Sequence, residues 1–396
     1  MTSAPASVAV PSEVRAPRMR DGIPLCVSVF VCARLMLSLI GAVGVGHVTQ
    51  YEPPADELPA GWRAATAGFH NAFDGTDRWD AGWYLRIARD GYGSRGSAAF
   101  FPGYPLTIRG LSPLVGDAGL AAALLISNAA FLAALIVFHQ LGSEEFDVAT
   151  ARRSVVLLAA FPTAFFFLAP YSESLFLLLA LLAFREARRD RWATSALAGA
   201  AAGFTRSIGI VLLPALLVEA IQRSRQDGRR ATPRVLAACG VIVGPAAYLA
   251  IWAARGDVAA PLRAQSAFGR QQMVPFVALG RAIVLAAQGF RTPLATYRAV
   301  DLVITVPVLV AACVGWRGWR PSYTTYVGLG IVFLLSDTIW DRPLVSVPRY
   351  LIVFFPVWWT FARWLRDRGA FVLAVACSAI VWSALALAFM NWVPIF

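Results

Sequence analysis

The stretch Arg78-Trp79-Asp80-Ala81-Gly82-Trp83-Tyr84-Leu85-Arg86-Ile87-Ala88-Arg89-Asp90-Gly91-Tyr92 stands in the first long polar segment of the chain, between an apolar run that ends near Gly46 and another that begins near Ala98. Trp79, Trp83 and Ile87 recur at helical spacing, which predicts a helix with one aromatic, apolar stripe. Arg86 and Arg89 fall off that stripe, and Gly91 supplies a stop. Such a helix suits a membrane surface, with its rings at headgroup level and its guanidiniums toward water and phosphate. Asp80 opens it, beside two tryptophans and within a turn or two of several arginines, where a carboxylate can take a proton from a hydroxyl. The same carboxylate also reads as a helix-start residue, with Asp77 as N-cap and Asp80 in the third position satisfying free amides. Asp74 and Asp77 are the competing acids.

The composition around this helix is that of a polytopic membrane protein. Of 396 residues, 58% are hydrophobic and only 15% charged, against about 25% charged in soluble domains. The 13 Trp and 25 Phe fit aromatic belts and lipid-facing surfaces. The net charge of +12 rests almost wholly on arginines in short loops between apolar runs. Positive-inside topology accounts for most of them, and nucleic-acid binding is a poor explanation. Arginines standing where topology does not ask for them are candidates for phosphate recognition. The 5 Cys lie in apolar runs without ligand spacing, and the 3 His do not cluster, so neither a disulfide framework nor a metal site is expected. No Asp-x-Asp pair and no Gly-rich phosphate loop appears. No cofactor is therefore expected to be required, with a divalent ion left open.

Taken in order, residues 1–22 read as a disordered cytoplasmic tail, and 23–396 as a single transmembrane domain without an internal repeat. The first span runs from about Ile23 to Val45, uncleaved, with its N-terminus in the cytoplasm. Arg34 sits in its middle, at a cost of about 2.5–3.5 kcal/mol on insertion scales, and should face a polar interior: either a buried acid or a functional site. Residues 46–97 form a first exterior loop. Whether 104–115 then crosses stays open, because Arg109 interrupts it; 118–141 is a clear span.

Ser154–Phe184 is too long for one crossing, which needs about 20 residues, and it breaks at Ala169-Pro170-Tyr171-Ser172-Glu173-Ser174. Two short helices meeting at an outer apex are expected, with Glu173 at the apex. Ala193–Ile221 breaks likewise at Gly203-Phe204-Thr205-Arg206-Ser207, which puts Arg206 on the outer side against the positive-inside rule. A span near 235–254 leads to a second long exterior loop, 255–298, with scattered Arg263, Gln265, Arg270, Gln271 and Gln272 and an amphipathic stretch near 275–290. Further spans fall near 299–315, 322–340, 349–365 and 370–391. The outer loop from Asp341 to Tyr350 again carries arginines, Arg349 among them. The total is about 11 spanning or half-spanning helices.

Several motifs occur in one order: Arg78-Trp79-Asp80 with Trp83-Tyr84, Phe100-Phe101-Pro102 with Tyr104-Pro105, Phe161-Pro162-Thr163-Ala164-Phe165-Phe166, Tyr171-Ser172-Glu173-Ser174, Thr205-Arg206-Ser207 with Gly209, and Pro348-Arg349-Tyr350. Each alone is weak, but the ordered set resembles the PIG-V mannosyltransferases and their bacterial relatives, within the GT-C glycosyltransferases. The resemblance implies an all-α, GT-C-like bundle whose active site faces away from the cytoplasm. It implies transfer of a sugar, usually mannose in that family, from a polyprenyl- or dolichyl-phosphate, and it maps the family's first-loop acid onto Asp80. Arg-for-Lys, Ala-rich composition points to a bacterial plasma membrane, with an unidentified envelope lipid, glycan or protein as acceptor.

On this reading Asp80 is the base. Arg206 and Arg349 hold the donor phosphate, because a guanidinium grips two phosphate oxygens at once; either could instead be an ion pair to Glu173 or Asp341. Glu173 orients Arg206 or the sugar, or is a plain structural partner. Trp79, Trp83, Tyr84, Tyr171 and Tyr350 are supporting aromatics. A flippase for lipid phosphates or lipid-linked sugars, without chemistry, remains the alternative, since arginines and broken helices also suit transporters.

Overall fold

The computed structural model describes residues 22–47, 67–93, 95–287 and 293–395. The expected N-terminal tail and much of the first exterior loop lie outside the described residues. Within them the chain is helical, apart from one antiparallel pair of three-residue strands, Arg270–Gln272 and Asp337–Ile339.

Among the described residues, six helices are long and apolar enough to cross a membrane: Ile23–Gly44, Gly119–Glu145, Ser207–Asp227, Thr232–Ala254, Thr296–Gly318 and Arg368–Met390. Shorter helices pack among them, notably Val148–Ala160, Glu173–Arg188, Trp192–Thr205, Pro321–Ser336 and Pro356–Trp364. The break at Arg206 falls where the Gly signal and the length arithmetic put it, whereas the first break is wider than expected: the helix ends at Ala160, nine residues before Ala169, and the next begins at Glu173. The open question at 104–115 is settled by length. The helix Gly103–Leu111 has 9 residues, about 14 Å at the α-helical rise, far short of a crossing.

The core shows why these sequences pack as they do. Helices Trp192–Thr205 and Val243–Ala254 touch through small residues, and a Cβ on Gly244 would lie 1.9 Å from the Ala200 carbonyl oxygen. The helix Glu173–Arg188 buries Phe176, Leu177, Ala180 and Phe184 on one face. The Phe184 ring meets Tyr323, Tyr326 and Phe355 edge-on or tilted, an arrangement aromatic quadrupoles favour. Lipid-exposed faces carry Leu35, Leu39 and Val43 on the first helix and Leu373 and Ile380 on the last.

Arg34 corrects one expectation. Its guanidinium meets no buried acid; it donates to the carbonyls of Ala72 (2.7 Å) and Leu168 (3.3 Å) and lies over the Phe73 ring. Irregular backbone between helices leaves carbonyls free for such a cation. The arginine therefore ties the first helix to the turn that precedes the Asp80 helix.

Candidate active site

Four segments far apart in sequence converge at one end of the bundle. The helix Asp80–Asp90 begins at Trp79, whose φ of 55° and ψ of −117° lie outside the ordinary region for a bulky side chain. Asp80 is thus the first helical residue, and the N-cap is Trp79 rather than Asp77. The buried face also differs from the expected stripe. Ala81, Tyr84, Ile87 and Ala88 are buried, while Trp79 and Trp83 are half-buried on the flanks. At the far end Gly91 (φ +78°) closes the helix. Arg109 donates there to the carbonyls of Ala88 (2.7 Å) and Arg89 (2.8 Å), satisfying acceptors the last turn leaves open.

Glu173 opens its own helix and is fully buried. Arg206 ends the helix Trp192–Thr205 in extended conformation. Arg349 lies in the one-turn helix Val347–Tyr350, entered through Ser346 at φ 63°. Their side chains form a continuous charged chain. Arg349 Nη1 meets Asp80 Oδ2 at 2.6 Å, and Arg349 Nε meets Glu173 Oε1 at 2.5 Å. Arg206 Nη1 reaches the same Glu173 oxygen at 2.8 Å and the Ser172 hydroxyl at 2.9 Å. A buried carboxylate is tolerated only when paired and hydrogen-bonded, and here two guanidiniums share it. Both arginines therefore do pair with Glu173, as the structural reading allowed. Asp341 instead lies 3.9 Å from Arg281.

Aromatic rings close the cluster. Arg349 lies over Tyr171 (4.6 Å), Phe166 (5.0 Å) and Tyr350 (5.2 Å), and Arg206 over Tyr350 at 4.9 Å. The Tyr84 hydroxyl is 2.9 Å from that of Ser172. Burial, reinforced by the Glu173 charge, pushes the Tyr84 phenol well up, so it stays protonated. Trp79 packs edge-on against Trp392, and Trp83 packs on Phe100 and Phe268.

A cavity of about 270 Å³ opens on this cluster, lined among others by Asp80, Tyr84, Arg206, Arg270, Arg349 and Tyr350. The Asp80 side chain is 30% exposed while that of Glu173 is not exposed at all. The first can reach a ligand and the second cannot. Asp74 and Asp77 do not line the cavity.

Arg270 is the residue that sequence reading placed in a loop without a role. The strand pair carries it over the cavity, where it lies 3.7 Å from Asp337 and 3.4 Å from the Tyr350 hydroxyl. Its location in the second exterior loop was the available signal, but nothing local distinguishes it from Arg263, which pairs with Asp257 in the exposed part of that loop.

The described residues thus build a helical bundle with a partly open carboxylate and several arginines around a cavity. The fold is similar to that of ArnT from Cupriavidus metallidurans bound to undecaprenyl phosphate, with a TM-score of 0.51 over 91% of this chain and 64% of that one, at 16% identity. Residues 44–238, just under half of the chain, match the family model described as Mannosyltransferase (PIG-V). The human GPI alpha-1,6-mannosyltransferase 2 is 31% identical over 211 residues, which is 49% of this chain and 41% of the human protein. The mouse protein of the same name is 30% identical over 212 residues, 51% of this chain and 42% of its own length. The chain thus spans about two fifths of the length of these relatives. The matched family segment contains Asp80, Glu173 and Arg206, but not Arg270 or Arg349.

Proposed function

We propose that this integral membrane protein transfers a sugar, mannose by the family it matches, from a polyprenyl-phosphate donor to a hydroxyl of an envelope lipid, glycan or protein, with inversion at the anomeric carbon. The observation that carries the reading is Arg349 clasped between Asp80 and Glu173 at the wall of a cavity. The human and mouse relatives are mannosyltransferases by name, which favours transfer over carriage. The lipid phosphate bound to ArnT supports a donor of that chemical kind. The cavity is assigned to the exterior face, and the membrane to a bacterial plasma membrane, on charge placement and composition.

In the proposed step the acceptor oxygen attacks the anomeric carbon as its proton passes to Asp80. The bond from that carbon to the phosphate oxygen breaks, and polyprenyl phosphate departs with the electron pair. General-base help of this kind contributes about 10²–10⁴-fold, and stabilising the departing charge is usually the larger part. Arg206, Arg349 and Arg270 supply that stabilisation from three separate segments. Glu173 keeps two of them aimed. A phosphate oxygen arriving at Arg349 competes with Asp80 for Nη1, so donor binding and release of the carboxylate are one event. Aromatic faces on Tyr84 and Tyr350 bound the space where the sugar sits.

The test is transfer of label from polyprenyl-phosphate mannose to extractable acceptor in membranes containing the protein. Asp80→Asn keeps the shape and removes the basicity, and should cut transfer about 10²–10⁴-fold with the protein still folded. Unchanged transfer by that variant discards the assignment.

A further inference from the structure

We propose that Trp392, at the C-terminal end of the chain, is a positioning residue for Asp80: it holds the two residues before the carboxylate in a conformation they would not otherwise keep. The inference rests on the reading of Asp80 as the base.

The start of the Asp80 helix has no side-chain cap. The residue that precedes Asp80, Trp79, has the positive φ that a bulky side chain adopts only when its surroundings impose it. Those surroundings come from the turn after the last helix. The Trp79 and Trp392 rings meet edge to face with centroids 5.5 Å apart. The Arg78 guanidinium lies 5.2 Å over the same Trp392 ring, and its Nε donates to the Met390 carbonyl at 2.9 Å. Arg78 Nη1 also donates to the carbonyls of Asp74 and Asp77, and the Arg78 carbonyl accepts from the Tyr171 hydroxyl at 2.9 Å. Both residues immediately upstream of Asp80 thus rest on one indole.

The turn itself is tied down. Trp392 is 1% exposed and, like Trp79, has a positive φ, 63°. Asn391 Oδ1 accepts from the Gly46 amide at 2.9 Å, which fastens the turn to the end of the first helix. Arg342 donates to the Pro394 carbonyl at 2.8 Å and to that of Ile395, while its other contacts go to Asp301 at 2.7 and 2.9 Å. A segment held at both ends by other elements is stiff enough to transmit its position. Trp392 does not line the cavity, and the arginines assigned to the donor stand on other segments. Its influence on the reaction therefore runs through the direction of the Asp80 side chain and not through donor contacts.

Displacement of a catalytic group by about 1 Å can cost about 10²-fold in rate. Trp392→Ala removes the ring under Trp79 and Arg78. It should lower kcat by about 10²-fold while leaving KM for polyprenyl-phosphate mannose unchanged. Trp392→Phe keeps an aromatic edge and face and should restore most of the rate; Trp392→Leu fills volume without a ring and should fall between Phe and Ala. Should the alanine protein fail to assemble in membranes, the Phe and Leu pair carries the same test. Wild-type rates in the variants, equal impairment of Phe and Leu, or a KM that rises in step with the loss of kcat would each overturn the inference. Asp80→Asn assayed alongside separates the two readings. Activity in that variant removes the base itself, whereas an inactive Asp80→Asn beside fully active Trp392 variants removes only the positioning role.

Discussion

The helix Glu173–Arg188 carries a buried ion cluster at each end, about 22 Å apart by helical rise. At its start, Glu173 is shared by Arg206 and Arg349, and Asp80 completes the chain. At its finish, Arg188 lies 3.2 Å from Glu145 and 3.8 Å from Glu219. Glu145 also takes Arg320 at 2.7 Å and the Tyr323 hydroxyl at 3.2 Å, and Glu219 takes the Ser322 hydroxyl at 2.6 Å. The inventories are nearly the same: arginines, carboxylates, a tyrosine and a serine. What differs is access. The side chains of Glu145 and Glu219 are 7% and 4% exposed, and they stitch together four helices. Asp80 is 30% exposed at a cavity, and its partner Arg349 stands in a one-turn helix beside it. Ion pairs closed off from any cavity lock a bundle. Ion pairs beside a cavity can exchange one partner for a ligand.

Replacing the shared carboxylate at the first end tests that contrast most severely. Glu173→Gln leaves two buried guanidiniums without their shared negative charge. Loss of one member of a buried pair typically costs about 3–5 kcal/mol of stability, and a misdirected phosphate clamp should lower transfer by at least about 10²-fold. Both the thermal midpoint in detergent and the rate of label transfer should fall. At the other end, Glu145→Gln should cost stability on the order of 3 kcal/mol yet leave kcat of the folded fraction unchanged. A drop in kcat there would erase the distinction between the two ends.

The smallest effect belongs to the loop beyond Arg188. Arg234 donates to Asp190 and Asp227 at once, and its hydrogen bonds hold the Asp190 carboxyl below the ordinary aspartate range. A carboxyl whose folded value is depressed adds stability that is complete above the ordinary range, about 4, and is lost as the pH falls below it. Arg234→Gln should therefore lower the thermal midpoint slightly at neutral pH and flatten its decline on the acid side, the two proteins converging as the pH falls below about 4. An unaltered pH profile would show that this pair contributes nothing.

Much of the architecture was legible in particular residues. Pro170 and the length of the run around it broke one apolar segment, Gly203 and Arg206 broke another, and in both cases a charge was left at the break. Arg349 stood out for the same reason, as a cation on the side where topology does not call for one. Asp80 opens its helix as read, while the alternative with Asp77 as N-cap does not occur, the N-cap being Trp79. For Arg34 the sequence left a buried acid or a functional role open, and it meets carbonyls instead, since free backbone acceptors leave no mark in a side-chain sequence. Arg270 and Trp392 went without a role, because the strand pair and the C-terminal turn that give them one are long-range contacts.

The sequence by itself determined a helical bundle in a membrane, its breaks, and the acid and two of the arginines at the site, because hydropathy and segment length act locally and strongly in lipid. Only the tertiary structure decided which charges meet. Asp80 and Arg349 are 269 residues apart in the chain, and a guanidinium accepts whatever carboxylate the fold brings within hydrogen-bond reach.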